Sequence, residues 1–517
     1  MKKILIVISA ILIPIIALAS LLLMYFSHHM DMYHFYNSDE LFLPSLYRDL
    51  IQSKFSFSTW YFSAATFIFP DWFLFMFSNE LVGNVYQAFP INFSLQILIS
   101  WLLVFLIVRL FVRSQSQAFF SSSFFYVIFI YLVQENIYPF DIALLSVTHF
   151  GGFISWMLAT FLLLNLLSDS ILKNKDPYIL FGLCVLIILA TLSDKLIIPH
   201  WIIPAELALP LLWTKFRFEG KKIGLIFLAI LFSTIIGLSI YRFIPHVFGS
   251  GIALAYFWEN SQVIWQIFYN FMNQHAVIGT SLLLSYIGWG WVLVKCFLKK
   301  DPGEKESSAF ILSTILVVGL AETLFPLAFS TYRLIDIEES RYLLPFFFAP
   351  LLFSPILLEL LWPDFWNKFI NKKWILGGLL TVGCGLLIIN VMMPGFKVSP
   401  LYEDYYPESA KCLDKSAHSW NAKRGIALYW QARRMMFLSK ENLEIVQVTS
   451  DLKSFTWIAN KKWFLGDFDF VVIKNKDPEG ASLFRTLQKK IGSPVTTKIC
   501  GNLTIYYYGT HRIHLIN

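Results

Sequence analysis

Asp39 and Glu40 stand side by side in YNSDELFLP, just past an apolar run long enough to cross a bilayer. Adjacent carboxylates at such a border suit two kinds of chemistry. Asp39 can take the proton from an attacking hydroxyl, or the pair can share a divalent cation (Mg or Mn) beside a phosphate leaving group. The same letters also suit helix capping, with Asn37 as N-cap and Glu40 three residues on, ahead of Leu41, Leu43, Leu46 and Leu50. The readings are compatible, because a capped helix start is a rigid mount for an acid. Asp49 reads as a solvated residue of that helix.

Arg341-Tyr342 opens the segment RYLLP where a late apolar run begins. An arginine there suits a bidentate grip on phosphate, with the Tyr342 hydroxyl beside it. An interfacial anchor paired with Glu338 or Glu339 fits equally. Asp194-Lys195 sits in a three-residue gap between two apolar runs. It reads as an ion pair in a turn, or as charge facing a cavity, with Lys195 neutralising a phosphate. Asp71, Glu135, Asp141 and His149 fall in loops on the same side and are candidates for lining one pocket; a structural or solvated role is the plainer reading of each. His28, His29 and His34 lack the spacing of a helical pair of metal ligands.

The elements that must position these groups are membrane spans. The 517 residues are 57% hydrophobic and 15% charged, with mean hydropathy +0.61, outside the range of soluble domains. The net charge of +7 is scattered over loops without a concentrated patch, which argues against a nucleic-acid partner. Eleven apolar stretches read as spans: Ile4–Phe26, Ile91–Val112, Phe119–Val133, Phe150–Leu167, Ile179–Leu192, Leu196–Trp213, Ile223–Ile240, Val277–Val294, Phe310–Phe329, Tyr342–Leu361 and Trp374–Met393. The first reads as an uncleaved span rather than a removed leader. With the N-terminus inside, 17 Lys and Arg residues fall in cytoplasmic segments and 6 in the opposite loops. The outside loops are long and rich in aromatics and carboxylates, the first running from 28 to 90. The expected fold is mainly α: a polytopic helical bundle over 1–393, followed by a small extracytoplasmic α/β domain over 394–517. In that tail IALYW, LEIVQV, FDFVVI and LTIYYYG read as strands and ASLFRTLQKKIG as a helix. Cys412 and Cys500 bracket it, and an oxidising compartment would permit a disulfide between them.

An acidic pair in the first outside loop, an Arg-Tyr-x-x-Pro stretch before a late span (Arg341, Tyr342, Pro345), many spans and an exported tail together resemble the GT-C class of integral-membrane glycosyltransferases. The likeness is to the protein O-mannosyltransferase and lipid A aminoarabinose-transferase branch. The resemblance implies transfer of a sugar from a polyprenyl-phosphate-linked donor, held in membrane lipid, to a glycan, lipid or protein acceptor on the exported side of a bacterial inner membrane. It implies Asp39 as base, Glu40 as its orienting or metal-sharing neighbour, and Arg341, Tyr342, Lys195 and Arg333 around the departing phosphate. A transporter or flippase of a lipid-linked intermediate, or a non-catalytic scaffold whose tail binds an envelope partner, are the alternatives. No duplicated half or mid-membrane cluster marks a transporter here.

Overall fold

The computed structural model describes residues 2–168, 176–216, 218–246, 253–300, 302–331, 334, 337–366, 368, 385, 404–509 and 512–515. Seven of its helices are long and apolar enough to cross a membrane, or eight if a bent pair counts as one span. This is fewer than the eleven expected, for three reasons. The stretch Leu196–Trp213 is a π-wound turn, Ile198–Ile202, that continues directly into a helix, Ile203–Phe216, containing Pro210, so neither piece alone has the length of a span. The first expected span is present as the continuous helix Lys2–Phe26, of which only Pro14–Phe26 bears on that count, as a shorter apolar helix. Apart from Gly385, Trp374–Met393 lies outside the described residues. The Tyr342–Leu361 stretch is the bent pair, turned by 48° between two pieces that each have proline near their start.

The helix Phe150–Leu167 sits at the centre, with most of its length buried. Asp176–Ser193, Gly220–Tyr241 and Ala276–Leu298 lie on the periphery. There Leu225, Leu228, Phe232, Ile235, Leu283, Leu284, Ile287 and Trp291 are exposed, the apolar outer surface a bilayer would cover.

The tail holds a five-stranded sheet in the order 444–448, 424–428, 470–474, 503–507, 496–500. The first three strands are parallel and the last two join antiparallel. Helices Glu408–Trp420, Tyr429–Leu438 and Pro478–Lys490 complete it. IALYW is thus only partly a strand, since Tyr429 and Trp430 begin a helix. Cys412 and Cys500 are disulfide-bonded, tying the Glu408–Trp420 helix to the edge strand.

The tail is not a loosely hung module. Trp60-Tyr61 of the first loop pairs antiparallel with Ala459-Asn460, and the Trp60 and Trp463 rings meet edge-on at 5.1 Å. One apolar core runs from the bundle into the tail.

Candidate functional site at the bundle end and the domain seam

The acidic pair is carried on a turn. Asn37 Oδ1 accepts from the amides of both Asp39 and Glu40 at 2.9 Å, after which a short helix, Phe42–Tyr47, begins. The expected capping box is not met at the helix itself: Asn37 caps this turn, while the helix N-cap is Leu41, without a side-chain bond. The reciprocal half of the box fails too, because Glu40 turns inward instead of back to Asn37. Its Oε2 accepts from the Ser146 amide at 2.8 Å and its Oε1 from the Val147 amide at 3.0 Å, with only 1% of the residue exposed. Burial pushes this carboxyl up to about 8, against the two amide bonds that pull it down. Both oxygens accept from backbone amides, so Glu40 clamps the 146–149 segment. Among the described residues no group of three His, Cys, Asp or Glu side chains could hold a metal ion.

The clamped segment delivers His149. Thr148 Oγ1 donates to the carbonyls of Ile142 and Leu145, and His149 takes a left-handed backbone, φ 69°, as it starts the Phe150–Leu167 helix. Its Nδ1 donates to Asp194 Oδ2 at 2.7 Å, while Asp194 Oδ1 accepts from the Leu196 amide at 3.0 Å. Burial works to raise Asp194, yet His149 beside it, helped by that amide, holds the carboxyl below its ordinary value. Asp71 lies alongside. Burial, and then the nearby Asp194 charge, push it well above the usual carboxylate range.

Two glycines make this approach possible. A Cβ on Gly151 would lie 2.2 Å from Asp71 Oδ1, and one on Gly152 would lie 2.9 Å from Asp194 Oδ2. Only glycine lets both carboxylates come this close to the start of that helix.

Tyr342 closes the other side. Its ring centroid is 5.3 Å from that of His149, and its carbonyl accepts from His200 Nε2 at 2.9 Å. The Arg341 guanidinium lies 5.2 Å from the same tyrosine ring, and its Nη2 reaches the Tyr342 hydroxyl at 3.4 Å. Lys195 takes no part in an ion pair with Asp194. Its ammonium rests 3.7 Å over the Tyr241 ring, and burial lowers its pKa.

Asp39 faces the other way, toward the tail. Its Oδ1 accepts from the Tyr429 hydroxyl, and Oδ2 has no bonded partner among the described residues. Ser38 Oγ donates to the Tyr429 carbonyl, and Arg433 Nη1 donates to the Ser38 carbonyl at 2.6 Å. Arg433 is 1% exposed, between the rings of Tyr429 and Trp463. Asn460 Nδ2 donates to Asp49 Oδ2 at 2.8 Å, so Asp49 is buried in the seam rather than solvated.

Thus Asp71, His149, Asp194, Tyr342 and Arg341 cluster at one end of the bundle, with Glu40 clamping the loop that bears His149. Asp141 stands apart: it lines a small hollow with Asp31 and His34, which none of the groups around His149 lines. Its carboxyl is raised by burial. Arg333 lies outside the described residues. Tyr429, Arg433 and Asn460 were not among the sequence candidates, and no local pattern marks them. His200 was missed too, although an ionisable residue within an apolar run is a signal.

No family model matches the chain, and no curated protein matches it. Among solved structures it is similar to ArnT from Cupriavidus metallidurans in the apo state, with 12% identity and a TM-score of 0.46, covering 96% of this chain and 97% of that one. It is likewise similar to the same protein bound to undecaprenyl phosphate, with 11% identity and a TM-score of 0.46, covering 97% and 99%.

Proposed function

We propose that the protein is a membrane glycosyltransferase that moves a sugar from a polyprenyl-phosphate donor to an acceptor hydroxyl on the extracytoplasmic face. One observation carries the reading. At one end of the bundle Arg341, Tyr342 and the His149–Asp194 pair meet, and the segment leading to His149 is bonded by Glu40, the neighbour of Asp39, whose Oδ2 has no bonded partner among the described residues. An arginine where a span begins suits a phosphate whose lipid chain stays in the bilayer. A membrane-bound donor also fits a chain with no Gly-rich nucleotide loop.

In the step, Asp39 Oδ2 takes the acceptor proton as the acceptor oxygen bonds to the anomeric carbon. The bond from that carbon to the phosphate oxygen breaks, and its electron pair leaves with the phosphate. Arg341, Tyr342 and Lys195 offset the charge that grows there. The Cys412–Cys500 disulfide fits a tail exported from a bacterial inner membrane.

Asp39→Asn, reconstituted in proteoliposomes with a panel of polyprenyl-phosphate sugars, is expected to lose transfer by about a thousandfold while staying inserted and folded. Undiminished transfer would reject Asp39 as the base. One observation favours a second reading, a flippase of a lipid-linked intermediate: neither carboxylate oxygen of Glu206, on the helix Ile203–Phe216, has a bonded partner among the described residues. Movement of donor lipid across the bilayer without sugar transfer by the parent protein would select that reading.

A further inference from the structure

His149 is over-determined in a way that a packing residue does not need. Left-handed backbone is uncommon away from glycine and persists only where surroundings enforce it. Here the enforcement is explicit. Glu40 bonds the amides of Ser146 and Val147, the Thr148 hydroxyl is tied to two carbonyls, and the His149 carbonyl accepts from Phe153 at 3.1 Å. The imidazole is held as firmly as the backbone. Asp194 fixes Nδ1, and the rings of Phe67 and Tyr342 flank it at 5.4 Å and 5.3 Å. Nε2 is left with no bonded partner among the described residues. A carboxylate that accepts from one ring nitrogen fixes the ring, aims the other, and stabilises the doubly protonated imidazolium, the form that can donate from Nε2.

The aim matters because of what else touches Tyr342. The Arg341 guanidinium and the His149 ring approach the same tyrosine ring at nearly equal distance. We propose that His149 is a catalytic residue of the transfer, donating from Nε2 to the departing phosphate oxygen, with Asp194 as its positioning residue. This rests on the reading that the site takes a polyprenyl-phosphate sugar.

The charge balance fits that task. The donor phosphate is a diester with one negative charge, and the leaving group is a monoester carrying two. The acceptor proton goes to Asp39, the anomeric carbon exchanges its phosphate oxygen for the acceptor oxygen, and the electron pair of the broken bond stays on phosphate. The Nε2 proton is shared with, or passed to, that oxygen, and His149 regains a proton from water once the lipid phosphate departs. Asp194 carries the charge that pairs with the imidazolium. The other groups around the ring are Asp71, which burial favours in its neutral form, His200 and Arg341. Asp71 therefore adds little competing negative charge.

The test compares two lipids on the full-length protein in nanodiscs: undecaprenyl phosphate, a monoester, and its methyl ester, a diester with the donor's single charge. The parent protein is expected to prefer the monoester. His149→Asn, chosen because asparagine tolerates left-handed backbone, is expected to bind the monoester about ten- to a hundredfold more weakly, with the methyl ester little changed. Asp194→Asn should move the preference the same way by less, which a purely structural role would not do. An unchanged ratio of the two affinities in folded His149→Asn, or in Asp194→Asn if the first variant does not fold, would overturn the proposal. So would equal affinities in the parent. Binding of neither lipid by the parent would instead sink the reading of the site itself.

Discussion

Asp39 and Glu40 are neighbours in sequence and belong to different halves of the molecule. Glu40 points into the bundle, where two backbone amides take its oxygens and fix the segment leading to His149. Asp39 points to the seam, where the tail meets it with Tyr429 and steadies the preceding residue with Arg433. The inner half is built from buried polar groups packed on two glycines. The outer half is an interface between segments some 390 residues apart, with one carboxylate oxygen unbonded among the described residues. A rigid half suits a phosphate site that must be ready before substrate arrives. A seam suits the place where an acceptor enters.

The largest expected effect separates the two halves. Arg433→Ala leaves the Ser38 carbonyl without its buried donor and the seam charges unbalanced, a loss of about 3 kcal/mol. Hydrogen exchange over 37–40 should rise and sugar transfer should fall, while undecaprenyl phosphate still binds. Loss of lipid binding as well would show that the halves are not separable.

Next is Gly151→Ala. The new methyl must displace the Asp71 carboxylate, at a cost of about 2 kcal/mol, and should weaken phosphate binding without loosening the seam. An unchanged melting temperature would contradict the close approach described.

Glu40→Gln replaces one acceptor with a donor facing an amide and should cost about 1 kcal/mol. It also changes the response to pH. The folded carboxyl sits near 8, above the 4.5 of a free glutamate, so the folded state keeps a proton that the unfolded chain has lost between those values. That contribution to stability is full below about 4.5 and fades as pH rises through 8. Thermal unfolding from pH 5 to 8 should show this decline in the parent and a flatter profile in Glu40→Gln.

The smallest effect is expected from Lys195→Met. It removes a half-buried cation at the rim and should weaken undecaprenyl phosphate binding only a few-fold, about 0.5–1 kcal/mol. A loss as large as that of Arg341→Ala would place the phosphate nearer Tyr241.

Much of the scaffold was legible because apolar runs report burial directly. Phe150–Leu167 is a helix between those same residues, and Ile179–Leu192 lies inside Asp176–Ser193. The sequence left the Cys412–Cys500 pairing open, and it offered His149 and Asp194 only as candidates for lining a pocket, without saying that they meet. Pairings across long separations were not legible. Nothing local distinguishes Glu40, which reaches 106 residues ahead, from Asp39, which reaches 390. The two-residue strand Ala459-Asn460 is too short for an alternating pattern, so the docking of the tail left no trace in SFTWIANKKWF. Asp141 shows the same limit. Its loop was placed correctly, but a loop position does not say which hollow a side chain will line.

The most direct measurement is an experimental structure of the full-length protein in nanodiscs with undecaprenyl phosphate bound. The account predicts a phosphate within hydrogen-bond reach of Arg341 and His149 Nε2, in a hollow that continues to Asp39 Oδ2. A phosphate bound elsewhere, or Asp39 and Arg341 opening onto hollows with no passage between them, would contradict it.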